Sequence, residues 1–105
     1  MISTHILDTT KGLAASGVTV ILEQQNKDSW KEIGTDQTNA DGRIVFNCPK
    51  EQGVYRLTFK IEDYYKNEEH FFLNTPIVFQ VKNTERKYHV PLLLNPYGYS
   101  TYRGT

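Results

Sequence analysis

The sequence predicts an all-β fold, a sandwich of two antiparallel sheets with about eight strands and one short helix. Apolar and polar residues alternate through several short segments, as they do in strands that bury one face. Residues typical of turns separate these segments at the spacing common in sandwiches. The aromatic residues are mostly Tyr and Phe, seven and five of them against one Trp, and such side chains favour strands over helices.

The first half of the chain contains four predicted strands. They cover about residues 2–7, 18–23, 30–35 and 43–47. A polar loop follows the first strand, and the segment Asn26–Ser29 predicts a hairpin. The turn Asn39–Gly42 contains an Asp-Gly pair, which supplies the positive φ that tight hairpins need. After this turn we expect Ile44 and Phe46 to face the core and Arg43 to face away from it.

The second half contains the clearest half-buried strand, because Tyr55, Leu57, Phe59 and Ile61 alternate with polar residues as far as residue 62. Residues 63–69 break that alternation and predict one or two turns of helix. Further strands are predicted over about residues 77–81, 88–94 and 99–103, with a tight turn at residues 95–98. Pro91 cannot donate a hydrogen bond to a neighbouring strand, so it predicts an edge position or a bulge.

Size and charge exclude several classes of function. A chain of 105 residues predicts one domain spanning residues 1–105. Twelve basic and twelve acidic residues balance and form no basic run, so no nucleic-acid partner is expected. No apolar stretch reaches the length of a membrane span, so no membrane association is expected. With one cysteine and no signal-peptide pattern, the expected location is cytoplasmic.

Segments at both ends and in the middle of the chain carry a more specific pattern. It consists of Ser3–Asp8 with Gly12–Ala15, then Thr38–Arg43, and finally Tyr88–Leu94 with Ser100–Thr105. This pattern resembles the 5-hydroxyisourate hydrolases, the enzymatic relatives of transthyretin, and the resemblance extends over the whole chain. Its most specific part is the terminal Tyr-Arg-Gly-Thr together with the upstream Tyr-His-Val-Pro-Leu-Leu. The chain departs from the family pattern at two places. Thr105 stands where the family most often has Ser, and Leu73–Thr75 lacks the family's usual proline.

The resemblance implies a transthyretin-like sandwich that hydrolyses 5-hydroxyisourate, an intermediate of urate breakdown, to 2-oxo-4-hydroxy-4-carboxy-5-ureidoimidazoline. It also implies a homotetramer, built as a dimer of dimers, with active sites at the dimer–dimer interface. Opening a cyclic amide needs a nucleophilic water, a base and donors for the developing oxyanion. The three histidines, at positions 5, 70 and 89, lack metal-ligand spacing, so we expect no metal and no cofactor.

The resemblance also implies the candidate site residues. The predicted catalytic residues are His5, Arg43, His89 and Thr105, and the predicted substrate-binding residues are His5, Arg43, Tyr102 and Arg103. His5 is the candidate general base or proton shuttle, because imidazole titrates near pH ~6.5. The choice between His5 and His89 as the group that accepts the proton of water stays open. Arg43 would orient the substrate through its planar guanidinium group.

The terminal residues 102–105 are expected to fold over the pocket, although chain ends are usually frayed. Tyr102 would contact the substrate, and Thr105 would offer its hydroxyl or carboxylate to a histidine. Gly104 would permit the sharp bend that this reach requires.

Each of these residues also has a structural interpretation. His5 would ordinarily be a structural histidine, Arg43 a partner in a surface ion pair, and His89 either solvated surface or part of a subunit interface. His70 is expected to be solvated surface, and Cys48 a buried or half-buried residue rather than a nucleophile. Two further functions stay open, a transthyretin-like carrier of small ligands and a purely structural interaction module.

Overall fold

The computed structural model describes residues 1–105 and contains nine strands and one helix. The strands are β1 (Ile2–Asp8), β2 (Leu13–Ala14), β3 (Thr19–Asn26), β4 (Ser29–Gln37), β5 (Arg43–Phe46), β6 (Gly53–Phe59), β7 (Thr75–Val81), β8 (Tyr88–Asn95) and β9 (Gly98–Thr101). The helix, α1, covers Ile61–Tyr65. It lacks the length and the apolar content that a membrane span requires.

The strands form two sheets, as the sequence predicts. One sheet has the order β4-β3-β6-β7, and each pair of neighbours in it is antiparallel. The other has the order β2-β1-β8-β9, with β5 also paired to β1, and is called the site sheet below. The hairpins β3–β4 and β8–β9 each have two residues between the paired ends, at the predicted turns.

Alternating burial along the strands produces the core between the sheets. In β1 the residues Ile2, Thr4 and Ile6 are buried, and in β5 the residues Ile44 and Phe46 are buried, as expected. Eighteen buried apolar residues form one cluster. Burying one large aliphatic or aromatic side chain stabilises a fold by about 1.5–3 kcal/mol, so the pattern fixes which face of each strand points inward. The residues between them therefore lie on the outer face.

The pairing of β1 with β8 is parallel, whereas the sequence predicts antiparallel neighbours. Its register places Ser3 beside His89, His5 beside Pro91 and Leu7 beside Leu93. Parallel neighbours need a long crossover connection, and here almost the whole chain, including the second sheet, forms it. Residues from the two ends of the chain are thereby brought side by side.

The Asp-Gly turn joins the two sheets instead of closing a hairpin within one, because β4 and β5 belong to different sheets. Gly42 has the predicted positive φ, at +74°. The Asn39 side-chain oxygen accepts hydrogen bonds from the backbone N–H groups of Asp41, at 2.9 Å, and Arg43, at 3.0 Å. A Cβ on Gly42 would lie 2.5 Å from the carbonyl oxygen of Ile6. The turn therefore fixes the start of β5 closely against β1.

Pro91 lies within the site sheet between β1 and β9, so the predicted edge position is wrong, and the continuous register of β8 with β1 shows no bulge there. The pairing of β8 with β9 ends at Leu92 and Thr101, and resumes in the same register at His89 and Gly104. The interruption includes Pro91, which has no N–H to donate. The Thr101 hydroxyl donates to the carbonyl oxygen of Pro91 at 2.7 Å instead.

The segment after β6 differs from the prediction in two respects. Helix α1 begins at Ile61, so the strand ends at Phe59 and does not continue to residue 62. Ile61 and Tyr65 are both buried, and the helix thus covers one end of the core. His70 is a surface residue of intermediate burial, and it is less solvated than predicted because its ring stacks on Tyr65, with centroids 5.3 Å apart.

Replacing Gly42 by Ala is expected to destabilise the protein by roughly 2–4 kcal/mol, from backbone strain at positive φ plus the close approach to Ile6. Gly12→Ala is the matched control, since Gly12 also has a positive φ, of +68°, but no atom within 4 Å of the added Cβ. It should cost only about 1 kcal/mol. Urea unfolding at one protein concentration measures both changes, and equal losses would contradict the steric argument.

Candidate active site

Three neighbouring strands present the candidate residues on the outer face of the site sheet. Ser3 and His5 project outward from β1 because the residues between and around them are buried. The register pairs His5 with Arg43 on β5 and Ser3 with His89 on β8. Side chains directly opposite one another on antiparallel strands have Cβ atoms about 4.5–5.5 Å apart. The structure therefore brings His5 beside Arg43 and within two residue positions of His89.

An open depression of about 370 Å³ lies on this face. It is lined by Ser3, Thr4, Arg43, Ile44, Val45, Lys87, His89 and Thr105. Three of the four predicted catalytic residues, Arg43, His89 and Thr105, thus share one surface. The fourth, His5, lies beside this lining as the β1 partner of Arg43.

His89 is held from two sides. Its ring nitrogen Nδ1 lies 2.8 Å from the Ser3 hydroxyl oxygen, and its backbone carbonyl accepts a hydrogen bond of 2.8 Å from the N–H of Gly104. Burial lowers the pKa of the His89 imidazole, and the electrostatic influence of Arg43 and then of His5 lowers it further. The neutral ring is therefore favoured, and its pKa responds to the other two candidate residues.

Gly104 is required for close contact with His89 rather than for a bend. Its φ lies outside the positive range, which only Gly12, Gly17, Gly42 and Gly53 occupy among the glycines. A Cβ at position 104 would lie 2.5 Å from the Cδ2 atom of the His89 ring. Of the terminal residues only Thr105 lines the depression, and the physical reason for the glycine differs from the one expected.

Tyr102 and Arg103 lie beside this depression and not in its lining. With His89 and five other residues they line a neighbouring depression of about 140 Å³. The Arg103 guanidinium carbon is 4.6 Å from the centroid of the Tyr88 ring, a distance at which cation and ring attract. This contact ties the terminal segment to β8, whereas the binding of substrate by Tyr102 and Arg103 stays a prediction.

Sequence reasoning missed two residues of the site, Ser3 and Lys87. Ser3 belongs to the N-terminal motif, but its contact with His89 depends on the parallel pairing of β1 with β8. Lys87 immediately precedes β8 and adds a positive charge beside Arg43. No acidic side chain lines either depression, so the surface favours an anionic or carbonyl-rich ligand. No group of three His, Cys, Asp or Glu side chains is arranged to hold a metal ion.

Arg43→Gln should raise the pKa of His89 towards the ordinary value near 6.5, because the substitution removes a positive charge that opposes protonation of the ring. The measurement is the pH titration of the His89 imidazole signals by NMR. Arg56→Gln is the control, since Arg56 pairs with Glu23 in the other sheet and should leave this pKa unchanged. An unchanged or lower pKa in the Arg43 variant would contradict the electrostatic coupling.

Comparisons with known proteins identify the family of the chain. The sequence model of the HIUase/Transthyretin family matches residues 2–104. The 5-hydroxyisourate hydrolase of Salmonella typhimurium is 43% identical over 110 residues, which cover 100% of this chain and 81% of that protein. The mouse 5-hydroxyisourate hydrolase is 38% identical over 111 residues, covering 99% of this chain and 94% of that protein.

Solved structures confirm the transthyretin-like sandwich. The Klebsiella pneumoniae 5-hydroxyisourate hydrolase has a TM-score of 0.86 and 35% identity, covering 99% of this chain and 98% of that one. Sea bream transthyretin in complex with thyroxine has a TM-score of 0.89 and 32% identity, covering 99% and 94%. An (S)-allantoin synthase has a TM-score of 0.88 and 29% identity, and this chain spans 43% of its length. The chain belongs to the HIUase/Transthyretin family.

Proposed function

We propose that this protein hydrolyses 5-hydroxyisourate to 2-oxo-4-hydroxy-4-carboxy-5-ureidoimidazoline in urate breakdown. The observation that carries the proposal is the grouping of two imidazoles and a guanidinium, His5, His89 and Arg43, on one open sheet face. The relatives named 5-hydroxyisourate hydrolase cover essentially the whole chain at up to 43% identity, which supports the same reaction here.

The reaction is hydrolysis of a cyclic amide, and the grouped residues suit its steps. Arg43 binds and orients the carbonyl-rich ring through its planar fork of N–H donors. One imidazole accepts a proton from water as the water oxygen attacks the amide carbon, and donors stabilise the oxyanion that forms. The C–N bond then breaks, and the proton passes to the leaving nitrogen. Thr105 stands where the family usually has Ser, and its hydroxyl contributes a further polar group at the edge of the site.

A carrier function is the alternative, since sea bream transthyretin in complex with thyroxine has a similar fold. A carrier does not need a titratable imidazole whose pKa is lowered by burial and by a guanidinium beside it, nor a terminal segment held against that imidazole. No feature of this site favours the carrier over the hydrolase.

The proposed enzyme is a cytoplasmic homotetramer, assembled as a dimer of dimers. The site in one chain is an open depression, and Val45 at its edge is 54% exposed. Packing two such faces across a symmetry axis would cover this apolar surface, exclude water and strengthen the electrostatic contacts with the substrate. A monodisperse monomer with full activity would refute the assembly.

The decisive experiment follows the ultraviolet absorbance of 5-hydroxyisourate, generated in situ from urate, with and without the protein. The protein should accelerate the decay well beyond the spontaneous rate. His5→Ala and Arg43→Ala should each lower kcat/KM by roughly 100-fold or more, because they remove proton transfer and charge stabilisation respectively.

His70→Ala is the control, because His70 stacks on Tyr65 away from both depressions. Its activity should match that of the unmodified protein. A decay rate no faster with the protein than without it would remove the hydrolase function, and full activity of the His5 variant would remove His5 from the mechanism.

A further inference from the structure

We propose that Ser3 is a positioning residue, whose hydroxyl donates a hydrogen bond to Nδ1 of His89 and so leaves the protonated Nε2 as a donor towards the substrate. His5 is then the group that accepts the proton of water. This inference rests on the proposed hydrolysis and deepens it by dividing the roles of the two histidines. Ser3 does not touch the reacting atoms and acts only through His89.

The contact between Ser3 and His89 is set by the backbone. The parallel register of β1 and β8 places the two residues directly beside each other, and both side chains are half-buried on the outer face. The Ser3 hydroxyl oxygen lies 2.8 Å from Nδ1, which is a normal hydrogen-bond distance. The backbone of Gly104 passes close to the same ring, since a Cβ there would lie 2.5 Å from its Cδ2 atom, and the Gly104 N–H donates to the His89 carbonyl. The contact is therefore part of an arrangement set by the backbone.

The direction of this hydrogen bond follows from the groups that surround it. Ser3 makes no other side-chain hydrogen bond within the chain, so Nδ1 is the acceptor available to its proton. A neutral imidazole has one donor nitrogen and one acceptor nitrogen. When Nδ1 accepts from Ser3, the single ring proton lies on Nε2. The opposite direction would leave the hydroxyl proton without an acceptor in the protein.

The surroundings of His89 favour the neutral form of its ring. The positively charged groups near it come from three parts of the chain: Arg43 on β5, Lys87 just before β8, and Arg103 in the terminal segment. No Asp or Glu side chain lines the depression, and the hydrogen-bond partner of the His89 ring is the Ser3 hydroxyl, not the Thr105 carboxylate. A neutral His89 with its proton on Nε2 can donate to an oxygen but cannot accept a proton there.

The proposed step balances with this division of roles. His5 accepts a proton from water while the water oxygen forms a bond to the amide carbon of the ring. The Nε2–H of His89 and the guanidinium of Arg43 donate to the carbonyl oxygen as negative charge develops on it. The C–N bond then breaks, and His5 returns the proton to the leaving nitrogen. The products are a carboxyl group and a ureido group, and His89 ends the step unchanged.

The first test needs neither a variant nor activity. In the ¹⁵N-labelled protein, long-range ¹H–¹⁵N correlation spectra report which nitrogen of each neutral imidazole carries the proton. At neutral pH the His89 ring should show a protonated Nε2 and an unprotonated Nδ1. A protonated Nδ1 would overturn the inference, because Nε2 would then be free to act as the base.

The second test compares kinetics of variants. Ser3→Ala should lower kcat by roughly 3- to 10-fold with little change in KM, which is the loss expected for one orienting hydrogen bond. Ser3→Thr keeps a hydroxyl on a residue that suits strands, and it should restore most of the rate. Ser29→Ala is the control, because it removes a hydrogen bond from Ser29 to Asn26 in the other sheet. This variant should keep the rate of the unmodified protein.

The outcomes separate this inference from the proposed function. If Ser3→Ala retains the full rate, or if Ser3→Thr is as slow as Ser3→Ala, the positioning role is refuted although the hydrolase stands. If the unmodified protein does not accelerate the decay of 5-hydroxyisourate, the hydrolase function fails. In that case the NMR spectra still show whether Ser3 selects the Nε2–H form of His89.

Discussion

The parallel pairing of β1 with β8 is the constraint on which the rest of the site depends. It joins the first strand of the chain to one near its end, so residues more than eighty positions apart become neighbours. Because the side-chain direction alternates along each strand, this one register puts Ser3, His5 and His89 on the same outer face. A shift of one residue would turn either histidine towards the core and dismantle the site.

Much of the sandwich could be predicted from the sequence because local patterns determine it. Alternation through Tyr55, Leu57 and Phe59 identifies the inner face of β6, and the Asp-Gly pair identifies the turn before β5. The predictions fail where distant segments decide the outcome. Helix α1 starts earlier because Ile61 is buried against the core, and Pro91 is tolerated inside a sheet because the adjoining ladder is interrupted there. Neither the burial of Ile61 nor the interrupted pairing at Pro91 can be predicted from the neighbouring residues alone.

In the candidate site, too, some features follow from local sequence and others depend on contacts between distant segments. His5, Arg43, His89 and Thr105 follow from motif resemblance, and the alternation of apolar and polar residues is enough to place Arg43 and His89 on outward faces. The role of Ser3 could not be reached in that way, because it follows from a strand register that joins the two ends of the chain. The lowered pKa of His89 also arises from three-dimensional surroundings, since burial and the nearby charges of Arg43 and His5 come from different strands.

The interruption at Pro91 has a consequence for the local stability of the C-terminal residues. Beyond Thr101 the segment is joined to the sheet by the bridge between Gly104 and His89 and by the stacking of Arg103 on Tyr88. Breaking these two contacts exposes little of the core, so residues 102–105 can detach at a free-energy cost well below that of global unfolding. Detachment would also uncover one side of the His89 ring. In the proposed hydrolase, a product could then leave from that side through a local opening while the sandwich stays intact.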